Sequence, residues 1–370
     1  MEEWRLVNLG ALSPYSIHAV YEAIALAVGT RATPNTIELC YPSEPYVCIG
    51  IHQCADLELD LQTCEQLNLK VVRRQVGGGT TYLDPGQQFY HIVVCRDHEL
   101  AKQPVEKFYE SFLKAIVSFY RSYGLSAEYK PINDVVIGGR KASGNGAALL
   151  HDVMVLVGNV ILDFDPEPMA KVLKVPSEKF RDKVVKDMRE WVTSLKREIG
   201  YVPDRSEVID RLVKCFEEAL GVKLVQGSLT DLERQKLTEL EKLFQSRDWL
   251  YSIDLEHKKL MESFKAHRVK IREGHYVVQA DHKALKMIRI LAEVVDGALS
   301  NVMITGDFFV QPVESVKELE EQLKGCKLTQ EDIEKRVSDF FKSNKAVFAG
   351  VKPEDLVSAL LKVKERLEVL

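Results

Sequence analysis

The chain has 370 residues, 46% of them apolar, and a formal net charge of −5 at pH 7. That length supports a large core and two or three domains, while so slight an acidic excess argues against a protein held on nucleic acid by phosphate neutralisation. No apolar run of about 18 residues and no basic leader followed by an apolar stretch occurs, so neither a membrane span nor secretion is expected, and the cytoplasm is the default location.

In chain order, a first helix is expected from Ser13-Pro14, an N-cap followed by Pro at the first helical position, to Gly29. Ile17, Val20, Tyr21, Ile24 and Val28 fall on one face of it at helical spacing. A second helix is expected from about Pro104 to Gly124, with Val105, Phe108, Phe112, Ile116 and Phe119 as its buried stripe. Strands are expected near 36–40, 46–51, 69–74, 80–83, 88–95, 133–138, 141–148 and 153–162. Runs of strands with few helices between them indicate an α+β fold, a mostly antiparallel sheet flanked by helices, rather than a doubly wound parallel one. Residues 164–250 carry charged helical sequence and are grouped with the first domain, giving 1–250. A small α+β accessory domain is expected over 251–370, with a tight hairpin at Asp296-Gly297 and helices near 314–324, 329–343 and 353–368.

The seven cysteines are scattered and never spaced as C-x-x-C, which predicts neither a zinc site nor a disulfide framework but small buried hydrophobes in a reducing compartment. His91, His98 and His151 are isolated and read as structural or solvated. Two segments carry chemistry. In RRQVGGGTTYLDPGQQFYHIVV, residues 73–94, three consecutive glycines suit close backbone approach or N–H groups turned toward an anion. Arg73 and Arg74 point to opposite sides of an extended chain, so one of them can clamp a carboxylate or phosphate; a plain hairpin with solvated arginines fits the same residues. In NDVVIGGRKASGNGAAL, residues 133–149, Lys141 follows a Gly-Gly turn and precedes a run of small residues that leaves room for a ligand; a solvated surface lysine is the plainer reading. No P-loop, dinucleotide fingerprint or H-E-x-x-H helix occurs. Residue chemistry alone leads as far as an anion-binding site centred on Arg74 and Lys141.

These segments resemble the lipoate–protein ligase family, in its large form with a catalytic and a C-terminal accessory domain. RRQVGGGTTYLDPGQ is similar to the family's RRxSGGGAVxHDxGN, and Asn133-Asp134 followed by Gly139-Arg140-Lys141-Ala142-Ser143-Gly144 is similar to its N-D pair and G-R-K-I-S-G stretch. DKVVKDMREWVTSL, residues 182–195, and the GDFF segment with the helix after it match further family stretches in the same order. The resemblance implies activation of lipoate, or octanoate, by MgATP as an acyl-adenylate, then transfer to a lysine of a lipoyl-domain or H-protein-like carrier. It also implies a biotin/lipoate ligase-like fold, magnesium brought by ATP rather than by a protein metal site, and a monomer. Carried over, Lys141 would contact the acyl carbonyl and the adenylate phosphate, and Arg74 the phosphate or acyl end. Gly77, Gly78, Gly79, Thr80, Thr81 and Tyr82 would line the acyl and nucleotide slot, together with Gly144 and Gly158. Asn133 and Asp134 would touch the nucleotide or the attacking lysine, and Lys183–Leu195 would close as a lid over the adenylate.

The sequence departs from the family at Val76, at Leu83, around Gly158, where the family's histidines are missing, and at Glu190-Trp191-Val192. The nearest alternative is an octanoyl or lipoyl transferase of the same fold, working through a cysteine thioester or independently of one. No cysteine lies between Cys95 and Cys215, so none is near Lys141 in sequence. A biotin–protein ligase is a further alternative, but its G-R-G-R-x-G-R pattern is absent.

Overall fold

The computed structural model describes residues 1–174, 178–265, 274–343 and 346–367. The chain folds as two compact units: Met1–Cys48, Leu59–Arg73 and Thr81–Ser246 form the first, and Ile49–Glu58, Arg74–Thr80 and Arg247–Leu370 the second.

The first unit contains strands β1 (Glu2–Leu12), β2 (Thr36–Pro42), β3 (Tyr46–Ile49), β4 (Lys70–Arg73), β5 (Thr81–Leu83) and β6 (Gln87–Cys95). They are followed by β7 (Ala127–Lys130), β8 (Asp134–Ile137), β9 (Arg140–Leu150), β10 (Val153–Ile161) and β11 (Val222–Gln226). Eight of them form one sheet in the order β11-β1-β2-β6-β10-β9-β8-β7, and β4-β3-β5 form a smaller one. Every pair in the large sheet is antiparallel except β1 with its two neighbours. The fold is therefore α+β with a mostly antiparallel sheet, as the strand-rich sequence implies.

Alternation along the strands assigns the two faces. Leu39, Tyr90, Ile92 and Leu156 join Phe108, Phe112, Ile116 and Phe119 of the Val105–Arg121 helix and Leu212 and Phe216 of the Arg205–Leu220 helix in the main core. On the opposite face lies the Pro14–Gly29 helix. Ser13 caps it by accepting from the backbone N–H of Ser16 at 3.1 Å, and Pro14 opens it. It is buried nearly all round rather than along the single stripe its spacing suggests. Ala19, Ala23, Ala25 and Ala27 keep it thin, and it packs against both the sheet and the Asp231–Gln245 helix.

In the second unit, β12 (His275–Lys283), β13 (Met287–Val295) and β14 (Ala298–Gly306) form an antiparallel sheet, and β15 (Phe309–Gln311) pairs with β16 (Val347–Ala349). Asp296 and Gly297 turn β13 into β14 with φ of 52° and 78°, the left-handed pair such a turn needs. Helices Ser315–Leu323, Gln330–Ser343 and Pro353–Leu367 bury Leu319, Val337, Phe340 and Leu360 against the sheet; residue 368 lies outside the described residues. Among the described residues no helix is long and apolar enough to cross a membrane.

Candidate active site

Lys141 sits near the start of β9, where the ladder with β8 slips. Val135 pairs with Ser143 and Val136 with Lys141, leaving Ala142 as an extra residue in a bulge. Its carbonyl accepts from the buried Tyr120 hydroxyl at 2.5 Å, and that hydroxyl also accepts from the N–H of Ile161 at 3.0 Å. The bulge is thus fixed from within the core, and it re-aims Lys141. On the other edge, the N–H of Thr193 donates to the Lys141 carbonyl at 2.8 Å.

The Lys141 ammonium lies 2.7 Å from Asp134 Oδ1, with the lysine side chain 41% and the aspartate 29% exposed. The pair is open enough for the ammonium to exchange a carboxylate for an incoming anion. The arm of the lysine crosses Gly144: a Cβ there would stand 3.0 Å from Lys141 Cε and 3.2 Å from Nζ. Gly144 N–H donates to Asn159 Oδ1 at 3.0 Å, and Asn159 Nδ2 donates to Gln87 Oε1 at 2.6 Å.

Asn133 and Asn145 latch the β8 entry to β9. Asn133 Nδ2 donates to the Asn145 carbonyl, and Asn145 Nδ2 donates to the Asn133 carbonyl at 2.9 Å and to Ser143 Oγ at 3.1 Å. Tyr90 completes the network, donating to Asn145 Oδ1 at 2.5 Å. Gly158 exists for this network: a Cβ there would meet Asn145 Oδ1 at 2.1 Å and the Tyr90 ring at 2.5 Å. The room that the small residues leave at Gly158 is therefore taken up by the chain's own Asn145 and Tyr90. Sequence reasoning passed over Tyr90, Asn145, Asn159 and Gln87, whose signal is a polar group on strands with buried neighbours, since such groups need partners.

Arg74 and the glycine turn belong to the second unit, together with Thr80. The Arg74 guanidinium is buried and folds back on the turn, donating to Gly77 O at 2.9 Å and Gly79 O at 2.8 Å. Gly78, at φ +99°, donates its N–H to the Phe308 carbonyl at 3.2 Å, and a Cβ on it would lie 2.8 Å from the Phe309 ring. Thr80 Oγ1 accepts from Gln53 Nε2 at 3.2 Å. Thr81 and Tyr82 lie on β5 in the first unit, Thr81 exposed and Tyr82 half-buried. Burial, then Asp84 and Asp165, push the Tyr82 phenol up to about 12.

The Lys183–Leu195 segment is the end of the Glu178–Trp191 helix and the stretch after it. Trp191 is 63% exposed, whereas Thr193, Ser194 and Leu195 are buried beside the Lys141 strand. An open cavity of ≈ 540 Å³ lies between this helix and two others, lined by Thr63, Glu167, Lys171, Arg181, Asp182 and Arg189 among others.

The lipoyl protein ligase A/B catalytic domain model matches residues 13–217, which include Lys141 and the whole of its network. The chain belongs to this family. The bacterial lipoate protein ligase C-terminus model matches residues 286–360. Octanoyltransferase LipM of Moorella thermoacetica is 26% identical over 268 residues, covering 67% of this chain and 98% of that protein. Lipoate–protein ligase 1 of Staphylococcus aureus is 26% identical over 310 residues, covering 82% of this chain and 84% of its own. Among solved structures, the bipartite lipoate protein ligase of Thermoplasma acidophilum, studied with its E2 lipoyl domain, superposes with TM-score 0.61 at 26% identity, over 68% of this chain and 97% of that one. This is accordingly an enzyme of the lipoate ligase and octanoyltransferase family.

All seven cysteines are free and buried. Burial leads the causes that push Cys40, Cys54, Cys64, Cys95, Cys215 and Cys326 above the ordinary thiol range, Cys64 and Cys326 to about 11. A thioester-forming cysteine needs the opposite, an accessible thiol of lowered pKa.

Proposed function

We propose that the first unit is an ATP-dependent acid–protein ligase that activates lipoate, or octanoate, as an acyl-adenylate and transfers it to a carrier lysine. The observation that carries this reading is the pairing of a half-exposed Lys141 ammonium with the burial of every thiol. In the first half-reaction the acyl carboxylate attacks the α-phosphorus of ATP and pyrophosphate leaves. Two anions must meet, and Lys141, released from Asp134, offsets their repulsion and the charge that builds in the transition state. In the second, a carrier amine attacks the acyl carbon and AMP departs. Magnesium enters with the nucleotide.

The Asn133–Asn145–Tyr90 network positions the strand that carries Lys141 rather than touching substrate. Arg74 stiffens the glycine turn through the Gly77 and Gly79 carbonyls, while the Gly78 N–H is held by the Phe308 carbonyl. The carriers are lipoyl-domain or H-protein-like proteins, and the second unit acts as the accessory domain. The stretch from Lys183 closes over the adenylate from its helical end, with Thr193–Leu195 as the fixed end.

A second reading is favoured by the relatives named octanoyltransferase LipM, which this chain matches over nearly their whole length. It requires acyl transfer from an acylated carrier without ATP, through a cysteine. The two are separated by measuring carrier acylation with free lipoate, free octanoate or octanoyl-carrier as donor, each with and without MgATP. The ligase reading requires labelling from the free acid only with ATP, insensitive to thiol alkylation. ATP-free transfer blocked by alkylation would establish the transferase.

A further inference from the structure

The sheet face that carries the Pro14–Gly29 helix holds a cluster unconnected with the lysine. Glu38 and Cys40 stand two residues apart on β2 and so share a face. His91 pairs directly with Glu38 across the antiparallel β2–β6 ladder. One ligand atom from each of the three lies within 4.8 Å of the other two. Exposure is 0% for Glu38 and Cys40 and 2% for His91. The Tyr21 ring closes the cluster from the helix, its centroid 5.0 Å from that of His91.

A carboxylate buried this deeply is costly unless it is both paired and hydrogen-bonded. His91 Nδ1 approaches Glu38 Oε2 at 2.5 Å, yet no aligned hydrogen bond joins them. Among the described residues, neither Glu38 oxygen nor that nitrogen has a hydrogen-bond partner. An imidazolium would balance the charge but leave the carboxylate with no directed donor stronger than the weak Cys40 thiol beside it. A cation serves all three groups at once.

We infer that Glu38, Cys40 and His91 form a structural site for a divalent transition-metal ion of the zinc class, tying β2 to β6. Carboxylate oxygen, thiolate sulfur and imidazole nitrogen are the donors such an ion prefers. Binding takes the thiol proton from Cys40 to solvent, two anionic ligands then neutralise the doubly charged ion, and one water completes the tetrahedron that the three side chains begin. Zinc bond lengths of roughly 2.0–2.3 Å put tetrahedral ligands about 3.3–3.7 Å apart. The Glu38–His91 contact must open by about 1 Å, a movement within the reach of side-chain torsions. His91 and Tyr90 alternate on β6, so the centre faces away from the Tyr90 network and is independent of the acyl chemistry. Ligand spacing along the chain does not reveal it, because its ligands are brought together by a strand ladder rather than by a short motif.

The test uses the full chain produced in zinc-supplemented medium. Metal content per chain is measured by mass spectrometry, and melting is followed with and without a strong chelator. Expected are about one zinc per chain, a lower melting temperature after chelation, and retention of less than about a tenth of the metal in Cys40→Ser. A core variant can fail to fold, so cobalt-loaded wild type supplies a second readout. It should show thiolate-to-cobalt charge-transfer absorption, and Glu38→Gln should shift it if folded. Wild type holding less than about a tenth of an equivalent overturns the proposal, as does cobalt protein without that band or metal fully retained in folded Cys40→Ser.

Discussion

Replacing Gly144 with Ala separates the position of the Lys141 ammonium from the stability of the fold. The new methyl would stand 3.0 Å from Lys141 Cε and 3.2 Å from Nζ, and the next atom out, Asn159 Oδ1, is at an ordinary contact distance of 3.9 Å. The end of a flexible lysine yields at little cost, and Ala in a strand recovers about 0.5–1 kcal/mol relative to Gly. Melting should therefore move by no more than about 2 °C. The ammonium, however, must shift by several tenths of an ångström and loosen its 2.7 Å contact with Asp134. A misplacement near 1 Å costs about 10²-fold in rate, so a loss of about 10-fold to 10²-fold in adenylation is expected, or roughly 1.4–2.8 kcal/mol of barrier. Single-turnover adenylate formation and a melting curve on the same sample measure both halves. Unchanged adenylation at unchanged stability would refute the role given to the lysine arm, and a collapse of stability would refute the packing.

Gly158→Ala should behave in the opposite way. Its methyl meets Asn145 and Tyr90 in a filled interior, so unfolding free energy should fall by about 1–3 kcal/mol or more, seen as a clear drop in melting temperature. Asp84 gives a pH signature. Burial first, then Asp163 and Asp165, raise its folded pKa above the ordinary aspartate value, so its ionisation opposes folding. The stability it allows is fully present below about pH 4 and is lost as pH rises through the folded value. Asp84→Asn keeps an acceptor for the Gly86 N–H, 2.8 Å away. It should raise the melting temperature at pH 7 and converge with wild type below about pH 4; a gain that is largest in acid would contradict this. The thiols should react with a chromogenic disulfide at pH 8 at least about 10²-fold more slowly in the native than in the unfolded protein, and a fast native thiol would reopen the thioester route.

Much of the fold is legible along the chain because local chemistry agrees with tertiary structure. Ser13-Pro14 starts its helix where capping demands, Asp296-Gly297 makes its hairpin, and eight expected strands recur as β2 to β6 and β8 to β10. Other elements were not legible, the short β15 and β16 among them. β7 spans only Ala127–Lys130, β11 lies inside charged helical sequence, β1 owes its pairing to distant partners, and β12 pairs with its neighbour β13 without clean alternation to mark it. At the site, Lys141 and Gly144 could be named because small residues follow a lysine after a turn, and Asp134 only through the family resemblance. The partners of Arg74 could not: its donors meet the Gly77 and Gly79 carbonyls, a geometry no side-chain pattern encodes. Nor could the purpose of Gly158, which answers to Tyr90 on the neighbouring strand.

Lipoate-dependent exchange of labelled pyrophosphate into ATP, measured with no carrier present, isolates acyl-adenylate formation from every later step. Wild type should exchange with lipoate or octanoate, and folded Lys141→Ala should lose about 10²-fold to 10³-fold of that rate. No exchange by wild type, or undiminished exchange by the variant, would contradict adenylation at Lys141.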